Sequence, residues 1–373
     1  MSTAAAFIRG WFSEPAPTFE IRQPSARWGT PKPRQARREL RVTDVITETP
    51  TVRTFVLEPV DAAAPLDYQA GQHLTLLVDL GGTTHRRCYS FSTSPAAGQR
   101  PAITVKRTPD GTVSRHLHDH VRPGDKLVAA EPSGQFMLAT DPQAARTVVF
   151  VAGGVGITPL ISLAETLLRD EPRSRAVLLC GNRSENEIIF RRRLADLEAR
   201  FAPRLVVRHA LDSTPQNWAG LAGPLDGSRT LEALGPADAD AYFVCGPEPM
   251  MQSVCAALEG AGVARDRIRS ERFVYASAAT TRIPDHPAEI TFAASGKRVT
   301  AQPGQTVLQA GLEAGVALPY SCTMGGCGAC KVRKSGGDVV MSEPNCLSER
   351  EREEGYLLAC CCYADTALTI ENH

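Results

Sequence analysis

Residues 319–330 read Pro319-Tyr320-Ser321-Cys322-Thr323-Met324-Gly325-Gly326-Cys327-Gly328-Ala329-Cys330, which spaces three thiols as C-x4-C-x2-C. A fourth thiol follows further along the chain, in the stretch Tyr356-Leu-Leu-Ala-Cys360. A 2Fe-2S cluster needs four thiolates, two for each iron, and this spacing is one that supplies them. The sequence therefore predicts a 2Fe-2S cluster held by Cys322, Cys327, Cys330 and Cys360.

Glycines accompany the three clustered thiols at positions 325, 326 and 328. A loop wrapped round a cluster must bring backbone N–H groups close to the sulfurs, and residues without a Cβ allow that approach. The same cysteine spacing is found in plant-type ferredoxins. The alternative is a tetrahedral zinc site, which more often uses two short C-x2-C pairs. The pattern favours the cluster.

The chain has 373 residues, which is too long for one hydrophobic core and predicts about two to four domains. Its formal net charge is zero, 22% of its residues are charged and 43% are hydrophobic. These bulk values indicate neither nucleic-acid binding nor a disordered chain. No apolar run approaches the roughly 18 residues of a membrane span.

The cysteine count indicates the cellular compartment. Eleven cysteines make an odd number, and they are scattered over the first part of the chain and crowded after residue 322. This arrangement does not resemble the disulfide framework of a small secreted domain. We predict a cytoplasmic, monomeric protein, with membrane association through its partner or through its N-terminal extension as the alternative.

Residues 1–38 are predicted to form an extension. Prolines interrupt it, a short segment carries Phe7, Ile8, Trp11 and Phe12, and a basic run follows between Arg22 and Arg41. Together these features suit contact with an anionic membrane or an acidic protein. The alternative is a solvated tail that packs its aromatic residues on the body of the protein.

The hydrophobic pattern divides the remaining chain into three domains and a linker. Residues 39–140 contain short Val-, Thr- and Leu-rich runs between Gly, Pro and Asp turns, which predicts an antiparallel β-barrel with one short helix at about 113–120. Residues 141–275 alternate strand and helix, which predicts a parallel α/β sheet. Residues 276–286 are a predicted linker, and residues 287–373 open with a hairpin and a helix before the thiols.

Two motifs of the predicted barrel suit a phosphate-bearing ligand. In Arg87-x-Tyr89-Ser90, alternate positions of one strand place the cation and the aromatic ring on the same face. Gly111-Thr112-Val113-Ser114 opens the short helix, where free N–H groups favour a phosphate. Each motif alone is commonly ordinary surface, but their joint occurrence indicates a binding site.

Three strand ends of the parallel sheet carry candidate nucleotide contacts. Gly154-x-Gly156-x-x-Pro159 departs from the usual dinucleotide fingerprint, and Thr158 is predicted to cap a helix that has Pro159 as its first residue. Arg183 and Ser184 follow the next strand and suit a 2′-phosphate, which favours NADPH over NADH. Because Glu185 and Glu187 lie nearby in the sequence, NADH remains the alternative nucleotide.

The third strand end carries Cys245-Gly246-Pro247 at the edge where ligands bind open parallel sheets. A buried, inert cysteine is the alternative for Cys245.

The fourth cluster ligand has competitors of its own, because Cys346, Cys361 and Cys362 lie near Cys360 in the sequence.

Five motifs in this order resemble the ferredoxin-NADP reductase superfamily. They are Arg87-x-Tyr89-Ser90, Gly111-x-x-Ser114, Gly153-Gly-Val-Gly-Ile-Thr-Pro159, Cys245-Gly-Pro-Glu-Pro-Met250 and Glu271-Arg-Phe273. The plant-type 2Fe-2S domain behind them resembles the reductase components of multicomponent oxygenases, including phenylacetyl-CoA epoxidase reductases and acyl-CoA desaturase reductases. The resemblance covers about residues 40–373 and implies a β-grasp ferredoxin domain at the C-terminus.

The resemblance also implies residue roles. Tyr89 would stack on the flavin ring, Ser90 would lie near flavin N5, and Arg87 would pair with the flavin phosphates. Residues Gly111 to Ser114 would hold the pyrophosphate, and Val105, Lys106 and Arg107 would line the flavin site. Cys245 and Glu271 would lie near the nicotinamide, and the family register selects Cys360 as the fourth cluster ligand.

The implied function is an electron-transfer reductase. FAD is the expected flavin and FMN the alternative, and electrons would pass from NADPH through the flavin and the cluster to a terminal oxygenase, a diiron hydroxylase or an acyl desaturase. Two other functions remain open at this point. One is a redox sensor without an oxygenase partner, and the other is a scaffold that holds structural zinc.

Overall fold

A computed structural model describes residues 37–235, 239–273 and 281–372. The predicted extension therefore lies outside the described residues up to position 36, and so does the predicted linker from 276 to 280. The rest of the chain folds into an antiparallel domain, a parallel-sheet domain and a C-terminal domain. None of the helices in the described ranges combines the length and apolarity needed to cross a bilayer.

The first domain is a six-stranded antiparallel barrel with strand order β4-β3-β6-β1-β2-β5. Its elements are β1 (Arg37–Thr49), β2 (Val52–Pro59), β3 (His73–Leu80), β4 (Thr83–Ser90), β5 (Ala102–Lys106), helix α1 (Thr112–His120) and β6 (Lys126–Ala130). Gly81 and Gly82 have positive φ in the two-residue turn between β3 and β4. Beyond β4, a bridge between Phe91 and Ile103 joins the far edges of the sheet. Alternate apolar residues fill the interior, among them Leu40 and Phe55.

The second domain has a parallel sheet with strand order β10-β9-β8-β7-β11-β12. Its strands are β7 (Thr147–Gly153), β8 (Arg175–Asn182), β9 (Leu205–Leu211), β10 (Leu221–Ala222), β11 (Ala241–Cys245) and β12 (Ile268–Glu271). Its helices are α2 (Ile157–Asp170), α3 (Arg191–Phe201), α4 (Gly227–Leu234) and α5 (Glu248–Gly260). The chain leaves β7 toward β8 on one side and later returns to pair β11 on the other. Such a switch in strand order opens a crevice at the carboxyl ends of the strands.

The C-terminal domain has a mixed five-stranded sheet of order β14-β13-β19-β15-β17 and a two-stranded sheet of β16 and β18. Its elements are β13 (Ala288–Phe292), β14 (Lys297–Ala301), helix α6 (Val307–Glu313), β15 (Lys331–Gly336), β16 (Val339–Met341), helix α7 (Glu349–Glu353), β17 (Tyr356–Leu358), β18 (Cys362–Ala364) and β19 (Leu368–Asn372). Thr306 and Gln309 form a capping box that begins α6. The cysteine loop, residues 319–330, connects α6 to β15.

Hydrogen bonds from the parallel-sheet domain to carbonyl oxygens of the barrel join the two domains, and ion pairs with the buried Glu165 hold one of the donors. Glu165 on α2 is 1% exposed, and its carboxylate accepts bonds from Arg169 at 2.8 Å and from Arg193 at 2.9 Å. The same Arg193 donates to the carbonyl oxygen of Ser92 in the barrel at 2.6 Å. Ser162 adds a bond to the carbonyl oxygen of Thr93 at 2.7 Å. These contacts fix the angle at which the two domains meet and so shape the cleft between them.

The predicted fold class is confirmed: an antiparallel barrel, a parallel α/β sheet and an α+β domain follow one another in the predicted order. One local prediction was wrong. Thr158 does not cap the helix, because a 3₁₀ turn at Gly154–Gly156 precedes it and the helix begins at Ile157 with Gly156 as its N-cap. Pro159 therefore lies in the first turn rather than at the first position. It is tolerated there because N–H groups of the first turn have no intrahelical acceptor.

Candidate functional site

The cysteine loop gathers the four predicted cluster ligands. The thiol of Cys322 contacts those of Cys327 and Cys360, and the thiol of Cys360 also contacts that of Cys330. Cys322, Cys330 and Cys360 are buried, whereas Cys327 is partly exposed. The Ala359 N–H donates to the Cys330 carbonyl oxygen at 3.1 Å, which ties the loop to the segment that carries the fourth thiol.

Backbone N–H groups point at these sulfurs. Met324 N donates to Cys322 Sγ at 3.3 Å, Gly325 N to Cys360 Sγ at 3.2 Å, and Cys322 N to Cys327 Sγ at 3.5 Å. Positive φ angles at Thr323, Gly325 and Gly328 turn the backbone inward. Four converging thiols with N–H donors directed at them fit an iron–sulfur cluster, whose sulfurs accept such bonds.

The competing thiols occupy different environments. Cys361 is fully buried, and its thiol contacts that of Cys360 and points toward the carbonyl oxygen of Leu358 at 3.8 Å. Cys362 is buried in β18. Cys346 lies beside the loop, where its N–H donates to the carbonyl oxygen of Gly325 at 2.9 Å. All eleven cysteines belong to described residues and none of them forms a disulfide.

A cleft of about 950 Å³ separates the barrel from the carboxyl ends of the parallel strands. Thr49, Thr51, Val52 and Lys106 line it from the barrel, and residues 153–156, 181–183 and 246–250 line it from the sheet. Its volume is at the upper end of the range for small-molecule sites, as a dinucleotide requires. Of the predicted residues, the cleft brings together Lys106, Gly154, Gly156, Arg183, Gly246 and Pro247.

Gly156 permits the close approach of the first turn to strand β11. A Cβ at this position would lie 2.1 Å from the carbonyl oxygen of Cys245, a distance that no side chain can adopt. Gly154 has φ +52 and faces open space in the cleft. The turn thus presents bare backbone at the N-terminal end of α2, an arrangement that suits a pyrophosphate.

Charged groups of both signs face the cleft. Burial and the nearby Arg183 guanidinium both lower the pKa of Lys106, while Glu187 opposes this shift. Burial raises the pKa of Asp212, and Arg183 partly offsets it. Ser184 follows Arg183 directly, before the 3₁₀ turn at Glu185–Glu187. Asp212 was not singled out in the sequence, because it belongs to a different strand end.

The predicted flavin strand is β4. Arg87 is buried, and its Nη1 donates to the carbonyl oxygen of Arg86 at 2.8 Å and contacts Met324 Sδ at 3.1 Å. Tyr89 packs against the barrel core, and burial raises its pKa. Both residues pair with leucines of β3, Arg87 with Leu76 and Tyr89 with Leu74, so they share a face as predicted from the strand period.

The other predicted barrel residues surround helix α1. Gly111 is its N-cap, and a Cβ there would lie 2.0 Å from Thr108 Oγ1 and 2.3 Å from Ser114 Oγ. Thr112 begins the helix, and the side chains of Val105 and Val113 are buried in the barrel core. Arg107 pairs with Asp119 at 3.1 Å. Free N–H groups at the start of α1 fit a phosphate, and the two valines serve packing.

Cys245 and Glu271, predicted to lie near the nicotinamide, are neighbours at the edge of the parallel sheet, and Ser90 of the barrel contacts Glu271 there. Glu271 pairs in register with Cys245, and the Ser90 hydroxyl donates to Glu271 Oε2 at 3.5 Å. Burial raises the pKa of Glu271 to about 8, and the bond from Ser90 partly opposes that rise. Cys245 has no exposed surface and its side chain packs in the core, so its place near a nicotinamide stays a prediction.

A small cavity connects this acid to the cysteine loop. It is lined by His73, Cys88 and Ser90 from the barrel, by Glu271, Arg272 and Phe273, and by Gly326 and Cys327. His73 and Cys88 were not predicted from the sequence. His73 carries no motif, and Cys88 is the unspecified position of Arg87-x-Tyr89. Only the contact between domains reveals them.

These features define a class: an oxidoreductase with a flavin site, a pyridine-nucleotide cleft and a 2Fe-2S loop in one chain. Three family models match it. They are an oxidoreductase FAD-binding domain over residues 39–138, an oxidoreductase NAD-binding domain over residues 150–256, and a 2Fe-2S iron-sulfur cluster binding domain over residues 290–365.

Curated relatives match over most of their length. The glycine betaine monooxygenase reductase subunit of Pseudomonas aeruginosa is 34% identical over 86% of this chain and 92% of its own. A component of the 1,2-phenylacetyl-CoA epoxidase of Escherichia coli is 32% identical over 83% and 89%. Among solved structures, phthalate dioxygenase reductase shares the fold, with a TM-score of 0.57, 23% identity and coverage of 89% and 97%.

The chain belongs to the family of flavin- and 2Fe-2S-containing reductase components of oxygenase systems. It is an oxidoreductase that carries electrons from a pyridine nucleotide through a flavin and a 2Fe-2S cluster to an oxygenase.

Proposed function

We propose that the chain is an NADPH-dependent reductase that uses FAD rather than FMN and delivers single electrons from its cluster to a separate oxygenase, hydroxylase or acyl desaturase. When bound, the flavin takes a hydride from the nicotinamide and the cluster accepts electrons one at a time. The proposal includes a cytoplasmic monomer with domain limits at 39–140, 141–275 and 287–373.

One observation carries the proposal. Ser90 and Glu271 line the same small cavity as Gly326 and Cys327 of the cysteine loop. Ser90, predicted to lie near flavin N5, and the loop predicted to hold the cluster therefore adjoin. A path for electrons between two cofactors needs this adjacency, whereas a structural zinc site does not.

Each part of the site has a proposed task. Gly154, Gly156 and the N-terminal end of α2, which includes Thr158 and Pro159, bind the nucleotide pyrophosphate. Arg87 and the start of α1, from Gly111 to Ser114, bind the flavin phosphates. Tyr89 covers the flavin ring.

The acid beside the flavin site has a proton-holding task. With a pKa of about 8, Glu271 keeps its proton at neutral pH and Ser90 fixes the carboxyl orientation. Cys245, Gly246 and Pro247 form the floor beneath the nicotinamide. Cys322, Cys327, Cys330 and Cys360 hold the cluster, with Cys360 preferred over Cys361 because it receives the Gly325 N–H.

The direct test is an anaerobic titration of the purified protein with NADPH, followed by its absorption spectrum. We expect a yellow-brown protein whose flavin and cluster bands both bleach. Mass spectrometry of the released cofactor should give FAD, and analysis should give two irons and two labile sulfides for each chain. A colourless protein that contains zinc would refute the proposal.

Arg183 is the proposed determinant of NADPH preference. A charge-assisted bond to a phosphate is worth about a tenfold to hundredfold change in a rate constant, and the 2′-phosphate is the group that NADH lacks. Arg183→Ala should therefore lower kcat/KM for NADPH by about tenfold or more and leave kcat/KM for NADH nearly unchanged. Arg192→Ala, on the exposed face of α3, is the matched control. Equal losses with both nucleotides would contradict this role.

A further inference from the structure

The barrel and the cysteine loop are joined by a buried hydroxyl pair. Thr75 Oγ1 on β3 and Ser321 Oγ, next to the ligand Cys322, lie 2.6 Å apart. Thr75 is 0% exposed and Ser321 is 2% exposed. Two polar groups that are excluded from water in this way lose free energy if their contact is broken, because water cannot replace either partner.

Two arginines of β4 reinforce the same junction. Arg86 Nε donates to the carbonyl oxygen of Ser321 at 3.1 Å, and Arg87 Nη1 contacts Met324 Sδ at 3.1 Å. The cysteine loop is therefore held against β3 and β4 on both sides of Cys322. None of these contacts involves a predicted cluster ligand directly.

The face of β3 and β4 that carries Thr75 also carries Cys88 and Ser90, the residue predicted to lie near flavin N5. Cys88 is the cross-strand partner of Thr75, and its Sγ lies 3.2 Å from Thr75 Oγ1. Cys88 Sγ, a ring nitrogen of His73 and Cys327 Sγ all lie within 4.8 Å of one another. Ser90 is two residues beyond Cys88 on the same face, about 7 Å along the strand.

We propose that Thr75 and Ser321 are positioning residues for electron transfer: their hydroxyl pair holds the cysteine loop against β4, so that electrons pass from the flavin at Ser90 to the cluster at Cys327 by way of Cys88. The inference rests on the proposed function. It adds the residues that set the distance between the two cofactors.

The transfer changes no bond of the protein. With both groups bound, the electron pair supplied by one nicotinamide would leave in two single-electron steps, and Glu271, bonded to Ser90, would hold a proton on the flavin side of the junction. Cys88 lies between the cofactors as an unreacted thiol and is neither oxidised nor reduced.

The test uses the complete holoenzyme with Thr75→Val and Ser321→Ala, separately and together. Thr75→Val keeps the shape of the side chain, and Ser321→Ala leaves the carbonyl oxygen that Arg86 uses. Thr84→Val, at the exposed end of β4, is the matched control. Thr75→Ser keeps the hydroxyl and should behave as the wild type does.

Three measurements distinguish a change in the position of the cysteine loop from a change in the reduction of the flavin. Stopped-flow absorption follows cluster reduction after NADPH has reduced the flavin. Ferricyanide reduction measures electrons taken directly from the flavin. Hydrogen exchange measures how well the backbone amides of residues 321–327 are protected. Loss of one buried hydrogen bond corresponds to about a five- to tenfold change in an equilibrium. We expect the double variant to slow cluster reduction and to speed loop exchange by about that factor, with ferricyanide reduction unchanged.

Two results would overturn the inference. One is cluster reduction at the wild-type rate together with unchanged loop exchange, and the other is faster exchange with no change in cluster reduction. If the double variant does not retain iron, Thr75→Val alone with a normal EPR spectrum of the reduced cluster gives the same comparison. Failure of the proposed function would look different, since the wild type itself would then lack the flavin or cluster bands.

Discussion

The nucleotide cleft and the cysteine loop both aim backbone N–H groups at a negatively charged partner, but they do so by different means. In the cleft, the donors are at the ends of regular elements, where the 3₁₀ turn at Gly154–Gly156 leads from β7 into α2. In the loop, irregular backbone with positive φ at Thr323, Gly325 and Gly328 points one donor at Cys322 Sγ within the loop and another at Cys360 Sγ beyond it. The sheet fixes the first site before any ligand binds. The second depends on the group that its four sulfurs share.

The largest expected effect is on the loop. Cys322→Ser removes the thiol that contacts both Cys327 and Cys360, so the cluster should be lost and cytochrome c reduction abolished. Flavin reduction by NADPH should survive, because the cleft is built on another domain. Iron analysis and stopped-flow absorption measure the two effects.

Cys255→Ser, on helix α5, is the control for Cys322→Ser because it replaces a thiol that lies far from the loop in the sequence. It should retain the cluster. Simultaneous loss of flavin reduction in Cys322→Ser would mean that the two sites do not fold independently.

A smaller but still large effect is expected in the cleft. Gly156→Ala places a Cβ 2.1 Å from the Cys245 carbonyl oxygen, so the turn and β11 must separate. Forced overpacking of this kind costs about 1–3 kcal/mol of unfolding free energy. We expect kcat/KM for NADPH to fall by about tenfold or more. Cluster content should not change, which would confirm that the two regions respond separately.

Gly260→Ala at the end of α5 is the matched control for Gly156→Ala, because a Cβ there meets open space. It should leave kinetics and stability near wild type. Normal NADPH kinetics in Gly156→Ala would show that the close approach of turn and strand is not needed for binding.

The smallest effect concerns Glu271, which lies between the two regions. Burial raises its pKa from 4.5 to about 8, so between these values the folded state holds a proton that the unfolded state has released. Stability should therefore fall as pH rises from about 5 to about 9, and Glu271→Gln should flatten this dependence. Denaturant unfolding at several pH values measures it. Glu232→Gln, on the exposed face of α4, is the control and should leave the slope unchanged.

The sequence predicted what local spacing determines. Cysteine spacing located the loop, and the periods of the apolar residues located the three domains, because side chains repeat every two residues in strands and about every 3.6 in helices. The cap at Thr158 was wrong because nothing in the spacing distinguishes a 3₁₀ turn from the start of a helix. Boundaries of elements depend on small differences of this kind.

Contacts between domains were beyond the reach of the sequence. Cys88 and Cys327 are far apart in the chain, and Cys88 stands at the unspecified position of its motif, so no pattern connects them. The same holds for Asp212, which shares the cleft with Arg183 only because neighbouring parallel strands end at one edge. Such pairs depend on how the folded domains, or neighbouring strands within one domain, pack against each other.

Glu165 has a consequence for protein engineering. Its carboxylate accepts a bond from Arg193, which also donates to the carbonyl oxygen of Ser92. The barrel and the parallel-sheet domain are therefore linked through this arginine. Separating them would remove the carbonyl acceptors that Arg193 and Ser162 use and would expose the Glu165–Arg193 pair to water. Chimaeric reductases should therefore exchange the barrel and the parallel-sheet domain together. The junction with the sequence of the other parent should lie after residue 273.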